Sequence, residues 1–273
     1  IKILCRTLRV SRSGYYRWCQ SAPSARALEN KRLSEKIKAL FYMSRCLYGT
    51  RRIRHLLQQE GEIISRRRIG KIMKDQGLRC KTRRRYCLTT TSNHRQEIAP
   101  NLLNRKFFAA RVNQKYVGDI TYIRTLEGWL YLAVVIDLFS RRVVGWSLSS
   151  RMDAGLVNRA LQMAIDRRQP PPDLLWHTDR GSQYASDSHR LILKKYGITQ
   201  SMSRKGNCWD NAVSESFFHT LKTELTKSVT FTSRRQAKAA IFEYIEVYYN
   251  KQRLHSSNDY MAPAVFEEVS KNK

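Results

Sequence analysis

Three carboxylates occupy positions where their type and spacing could do chemistry. Asp119 lies in residues 115–123 (KYVGDITYI), whose alternation sets Val117, Asp119, Thr121 and Ile123 on one side of a strand. A carboxylate among apolar strand neighbours pays for desolvation unless cations or a metal pair with it, and no turn signal explains this one. Asp179 follows a short apolar segment and precedes Arg180, Gly181 and Ser182, so an Asx-turn or a helix cap is its plain alternative. Glu215 falls in a helical stretch, where by itself it is an ordinary surface glutamate. Asp119 and Asp179 are 60 positions apart, and 35 residues separate Asp179 from Glu215. Two aspartates on neighbouring strands and a glutamate on a following helix can converge at one sheet edge. Such hard oxygen donors suit two Mg²⁺ or Mn²⁺ ions whose shells are completed by phosphates.

Composition says where the phosphates come from. The 273 residues carry 51 Lys+Arg against 22 Asp+Glu, a formal charge of +29, which points to a polyanionic partner and above all to nucleic acid. Residues 129–136 form the longest apolar run, far below the roughly 20 residues of a membrane span. The charged start is no signal peptide, so secreted and membrane-embedded classes are excluded and a cytoplasmic, nucleoid-associated protein is expected. The six cysteines show no C-x-x-C spacing, which leaves reduced thiols rather than a zinc finger or a disulfide framework. The chain opens on Ile rather than Met, as expected of a fragment or the downstream part of a longer product.

The elements that must position the acids follow from periodicity. Strands are expected over 115–123, 128–136 and 142–148 as an antiparallel meander. A helix over 154–168, a strand over 174–177, a helix near 187–196, a strand over 199–202 and a long helix over 210–225 follow. This is an α/β pattern: a mixed five-stranded sheet with flanking helices. Charge divides the chain: residues 1–110 hold 27 basic and 6 acidic side chains, residues 111–273 hold 24 and 16. The amino-terminal part reads as all-helical. Two short helices around Ile53, Leu56, Leu57 and around Ile69, Ile72, Met73 are joined by a Gly61-containing turn, as in a helix-turn-helix. Ser65 can cap the second, which opens with Arg66, Arg67 and Arg68 and continues to Lys71. Arginines at a helix start oppose its dipole unless an anion lies nearby, which favours DNA over a merely solvated face. Residues 81–85 (KTRRR) add Arg83, Arg84 and Arg85 as phosphate contacts, or else form a solvated tail. The expected organisation is a helical DNA-binding region over 1–87, a polar linker over 88–110, and a catalytic core with a helical extension over 111–273.

The motifs around the acids are G-D-I-T-Y-I at Asp119, H-T-D-R-G-S-Q-Y at Asp179 and W-D-N-A-V-S-E-S-F-F at Glu215. With Y-G-T-R-R-I at 48–53, G-W-L-Y-L-A at 128–133, Y-N-x-x-R-x-H-S at 249–256 and a late Pro263/Phe266 pair, the chain resembles the OrfB-type transposases of the family named after insertion sequence three. Tyr116 departs from a position often Trp, and Asn258-Asp259 from a usual Leu-Gly, which puts the carboxy-terminal turn in doubt. The resemblance covers nearly the whole chain. It implies a ribonuclease-H-like fold with a retroviral-integrase-like core, two divalent ions bridged by Asp119 and held singly by Asp179 and Glu215, and in-line cleavage and strand transfer at insertion-sequence ends. It also implies terminal repeats and target DNA as partners, a homo-oligomeric synaptic complex, and an upstream reading frame fused by frameshifting. Glu215, His219 and Lys222 share one helix face, so His219 and Lys222 are candidates for contacts near the scissile phosphate, an exposed amphipathic face being the alternative for His219. Lys205 and Arg253 complete the candidate DNA contacts, Arg253 alternatively pinning the carboxy terminus. His177, Asp137, Asp210, Trp209 and Asn211 are expected to be structural: Asp137 capping a turn, Asp210 capping a helix. A DNA-binding regulator without catalysis and a ribonuclease-H-type nuclease are the competing classes. The first leaves the three acids unexplained, the second the helix-turn-helix.

Overall fold

The computed structural model describes residues 1–81, 97–205, 207–227 and 229–271, and the chain divides into two units, Ile1–Lys81 and Thr82–Lys273. Arg83, Arg84 and Arg85 lie outside the described residues, as does the first part of the expected linker.

The first unit is helical: α1 (Lys2–Thr7), α2 (Arg12–Gln20), α3 (Ala25–Met43), α4 (Thr50–Gln59) and α5 (Arg66–Asp75). Serines start three of these helices, with the hydroxyls of Ser11, Ser24 and Ser65 accepting from the amides of Gly14, Ala27 and Arg68. Leu33, Ile37 and Phe41 of α3 meet Ile53 and Leu57 of α4 and Ile69, Ile72 and Met73 of α5 in one buried core. Gly61 takes the positive φ of 81° that turns α4 into α5. At the start of α5, Arg66, Arg67 and Lys71 are exposed. Arg68, expected on the DNA face, is engaged within the protein: Nε donates to Asn30 Oδ1 (2.9 Å) and Nη2 to Glu29 Oε2 (2.7 Å), tying α5 to α3. A helix with its Ile and Met side chains on one stripe must turn one of three consecutive arginines back toward its neighbours.

The second unit is built on a sheet of order β3-β2-β1-β4-β5, from β1 (Lys115–Thr125), β2 (Gly128–Asp137), β3 (Val143–Ser149), β4 (Leu175–Thr178) and β5 (Thr199–Met202). The first three strands are antiparallel, while β4 and β5 run parallel to β1. β2 lies inside the sheet between β3 and β1, and its run from Leu132 to Ile136 is buried throughout, as a strand covered on both faces requires. α6 (Ala154–Arg168) packs across β2 and β3, its capping Asp153 accepting from the amide of Leu156; a Cβ on Gly145 would run into the α6 backbone at Ala160. α7 (Asp187–Lys195) connects β4 to β5. A 3-10 turn (Cys208–Asn211) leads into α8 (Ala212–Leu221), which continues as a π-helical turn (Lys222–Thr226). Tyr116 buries its ring completely and satisfies its hydroxyl on Asn113 Oδ1 (2.6 Å), so the sheet accommodates it in place of an indole.

Residues 97–110, expected within the linker, are instead attached to the sheet unit. Ser201 Oγ accepts from the amides of Leu102 and Leu103, Leu103 is buried, and Asn101 and Arg105 reach Asp210. Leu102, Leu103, Phe107 and Phe108 were a signal against linker chemistry.

The carboxy-terminal tier is α9 (Arg234–Phe242), its π-helical continuation (Glu243–Tyr249) and α10 (Pro263–Lys271). Glu267 of α10 accepts from Ser140, Arg142 and Arg168 and so clamps the tier to the β2–β3 turn. The turn at Asn258-Asp259 forms without a glycine: Asp259 takes φ 49°, and the buried Asn258 amide donates to Ser140 O (2.6 Å). Arg253, expected as a DNA contact, is buried in this tier and forks onto Glu224 (2.9–3.0 Å), whose other neighbour is the Tyr244 hydroxyl. It pins the carboxy terminus to the end of the α8 helix.

Candidate active site

The parallel pairing of β1 with β4 runs Lys115↔Leu175, Tyr116↔Trp176, Val117↔His177, an offset of 60 residues. Carried two residues further, that register sets Asp179, just past the end of β4, beside Asp119 on β1. Residues opposite one another on parallel strands present their side chains to the same face, so the spacing of the two aspartates is the register of the sheet.

Glu215 comes from α8, which packs on β1. The helix start is tied to the strand at the residue before Asp119, where the Asn211 side-chain amide donates to Gly118 O (3.1 Å). Asp210 does not cap α8. Its buried carboxylate accepts from Asn101, from Arg105 and from the backbone and guanidinium of Arg204, locking the turn that delivers Glu215. These cations hold its pKa well below the usual range. Trp209 on the same turn is 69% exposed.

The three acids fall within one another's electrostatic reach. Burial, then Asp179, then Glu215 push the Asp119 carboxyl well above its ordinary pKa, against the opposing help of the Ile120 amide (2.8 Å to Oδ1) and of Lys222. Desolvation also raises Glu215. Asp179 Oδ1 accepts from Gly181 N (2.9 Å), so the Asx-turn expected as an alternative coexists with a place in the site. Lys222 lies 4.8 Å from the Tyr122 ring centroid, and His219 and Lys205 are exposed. Among the described residues, no three His, Cys, Asp or Glu side chains are gathered closely enough to hold a metal ion as they stand. The donor set nevertheless fits a hard divalent cation: three acids share one field, and their mutual repulsion is what a cation would relieve.

The other sequence candidates are structural. Asp137 accepts from the amides of Asn113 and Phe139 (both 2.9 Å), and burial raises its pKa to about 6. His177 is buried between Ser201 Oγ (2.8 Å) and Ser203 Oγ (3.2 Å), and desolvation lowers it to about 4. Sequence reasoning missed Tyr184, which is buried five residues beyond Asp179; its only signal was membership in the H-T-D-R-G-S-Q-Y motif.

Comparison with known proteins gives the family. Two integrase core domain profiles match residues 109–208 and 215–270, and an HTH-like domain profile matches residues 28–86. Transposase InsF for insertion sequence IS3A of Escherichia coli (strain K12) is 45% identical over 269 residues, 98% of this chain and 93% of that protein. An uncharacterized 31 kDa protein of insertion element IS600 from Shigella sonnei is 44% identical over 265 residues, 97% of each chain. A simian T-cell lymphotropic virus intasome structure, in complex with PP2A regulatory subunit B56 gamma, aligns with 85% of this chain and 74% of its own at 17% identity and a TM-score of 0.48, too loosely to add weight. Fold and site define a transposase with a ribonuclease-H-like integrase core and an HTH-like amino-terminal unit, an enzyme of DNA transposition and integration. The chain belongs to the IS3 family of insertion-sequence transposases.

Proposed function

We propose that Asp119, Asp179 and Glu215 are the catalytic centre, holding two Mg²⁺ or Mn²⁺ ions while the protein cuts the ends of its insertion element and joins the freed 3′ ends to target DNA. The observation that supports this most is the β1–β4 register, which sets Asp179 beside Asp119 while Glu215 adds a third negative charge to the same field. Divalent ions bound there would activate a water or a 3′-hydroxyl and stabilise the leaving oxygen. Asp119, Asp179 and Glu215 would together hold the ions through their carboxylates. Lys222, and His219 one turn before it, present cationic and polar groups beside the acids, where the scissile phosphate must pass.

Residues 1–87 recognise the terminal repeats in this reading, through Arg66, Arg67 and Lys71 on the exposed start of α5, with Arg83, Arg84 and Arg85 contacting phosphates. Residues 111–273 carry catalysis, with residues 97–110 attached to that unit, and Lys205 extends the DNA track. Joining two element ends requires more than one copy of the chain at the synapse. No helix among the described residues is long and apolar enough to cross a membrane, and the place of work is the bacterial cytoplasm at the nucleoid.

The test is Mg²⁺-dependent cleavage and joining of labelled DNA carrying the element ends. Asp119→Asn, Asp179→Asn and Glu215→Gln should each abolish both reactions while end binding stays within a few-fold of the parent. Turnover close to the parent in any of the three overturns that residue's assignment.

A further inference from the structure

The loop that follows Asp179 folds back and buries a polar group beneath the acids. Gly181 N is held on Asp179 Oδ1, Tyr184 N donates to Gly181 O (3.0 Å), and Gln200 Nε2 donates to Tyr184 O (2.8 Å), so the position of Tyr184 is set by main-chain bonds. Its ring stands edge-on to Trp176 (6.2 Å, 65°) and to His189 (5.6 Å, 77°). Trp176 in turn lies directly under Gly118, the neighbour of Asp119, where any Cβ would collide with the indole. The other polar atoms of this aromatic cluster are satisfied: Trp176 Nε1 donates to His189 Nε2 (2.9 Å), and His189 Nδ1 is bonded to Asn158 Oδ1 (2.8 Å). The Tyr184 hydroxyl is buried with no hydrogen-bond partner among the described residues.

A buried hydroxyl without a partner costs free energy that a phenylalanine would not, so its presence needs a reason. Burial, then Asp119, then Asp179 push the phenol above its ordinary pKa, so the buried hydroxyl lies in the field of both acids. Asp119 Oδ1 already accepts from Ile120 N. We propose that Tyr184 is a positioning residue for the catalytic acids: its hydroxyl donates to the Asp119 carboxylate when a divalent cation binds, and so fixes which oxygen Asp119 turns to the cation. The inference rests on the reading of Asp119, Asp179 and Glu215 as a cation site. Partners of this type that orient a carboxylate ligand commonly govern metal affinity.

Tyr184→Phe removes the hydroxyl and keeps the ring with its edge contacts. The experiment titrates Mn²⁺ into the full chain bound to an uncleavable end duplex, follows the free-ion EPR signal, and measures Mg²⁺ dependence of cleavage in parallel. Tyr184→Phe should melt at or above the parental temperature without metal, bind Mn²⁺ about tenfold more weakly, and shift the Mg²⁺ midpoint for cleavage equally, with the rate at saturating Mg²⁺ nearly kept. A Mn²⁺ affinity within about twofold of the parent, or a lower metal-free melting temperature, overturns the proposal. Asp119→Asn is the control. If it abolishes the high-affinity Mn²⁺ isotherm while Tyr184→Phe leaves it unchanged, the positioning role alone falls. If Asp119→Asn binds Mn²⁺ like the parent, the cation site fails and the role of Tyr184 with it.

Discussion

In the helical unit the ion pairs lie at the surface, with Arg32 and Lys36 on Glu62 and Arg68 on Glu29. The sheet unit has surface pairs too, such as Arg111 with Asp173 and Arg190 with Asp187, but it also buries acids under arginine: Glu224 under Arg253, Glu267 under Arg168 and Arg142, Asp210 under Arg204 and Arg105. The helical unit is held together by aliphatic packing and keeps most of its cations outward, ready for a polyanion. The sheet unit uses Glu224, Glu267 and Asp210 as internal clamps answered by guanidinium, whereas Asp119, Asp179 and Glu215 share one electrostatic field. Within that field Asp179 and Glu215 raise the Asp119 carboxyl and Lys222 opposes the shift. An acid clamped by arginine stabilises, whereas acids held against each other store repulsion, and stored repulsion is available for binding a cation.

The largest expected effect tests that contrast directly. Asp119→Asn should lower cleavage by at least about 10³-fold and, without metal, raise stability by about 1–2 kcal/mol, because the repulsion among three acids is relieved. An Asp119→Asn protein that is inactive but also less stable in urea would place Asp119 with the structural acids. Next, Glu224→Gln leaves Arg253 charged, buried and half-partnered, and should cost about 3–5 kcal/mol in urea melts, with Glu224→Leu/Arg253→Met recovering much of it. Arg32→Met, at the surface of the helical unit, should hardly move the melting temperature. Equal losses at the two sites would erase the distinction between the units.

Burial holds His189 at a pKa of about 4, below the ordinary 6.5. The unfolded chain therefore binds the extra proton first, so this histidine loses folded stability as pH falls from 6.5 towards 4 and is neutral above that window. Relative to His189→Gln, which keeps a neutral polar side chain, the parent should lose up to about 3 kcal/mol across the window. A difference between the two urea midpoints that is flat with pH would refute it. The smallest effects belong to α5. Arg66→Ala/Arg67→Ala should stay folded and reduce the salt slope of end binding by about 2, whereas Arg68→Ala should leave the slope and lower the melting temperature. A slope change with Arg68→Ala would return that residue to the DNA face.

The sequence showed the strands, α6 and β5 nearly to the residue because each is a clean apolar run or alternation bounded by Gly, Pro or charge. It marked Asp119 because an acid in such a run is anomalous. It left Arg253 open between a DNA contact and a carboxy-terminal pin, since a buried arginine looks the same in sequence as a DNA-binding one until its partner, 29 residues away at Glu224, is known. Arg68 failed for the same reason, its partners lying on a different helix. Asp210 read as a cap because caps are local, whereas its real partners, Asn101 and Arg105, come from more than a hundred residues earlier.

By itself, then, the sequence determined what is periodic or compositional: a basic helical region, an α/β core, and three acids whose motifs carry the family resemblance. Tertiary structure alone decided which charges are answered. The 60-residue spacing acquires meaning only when β4 pairs with β1 in one register, and whether an arginine clamps an acid or meets DNA depends on which chain segments fold against it. Coulomb interactions act across space, and their partners are recorded nowhere in the order of the residues.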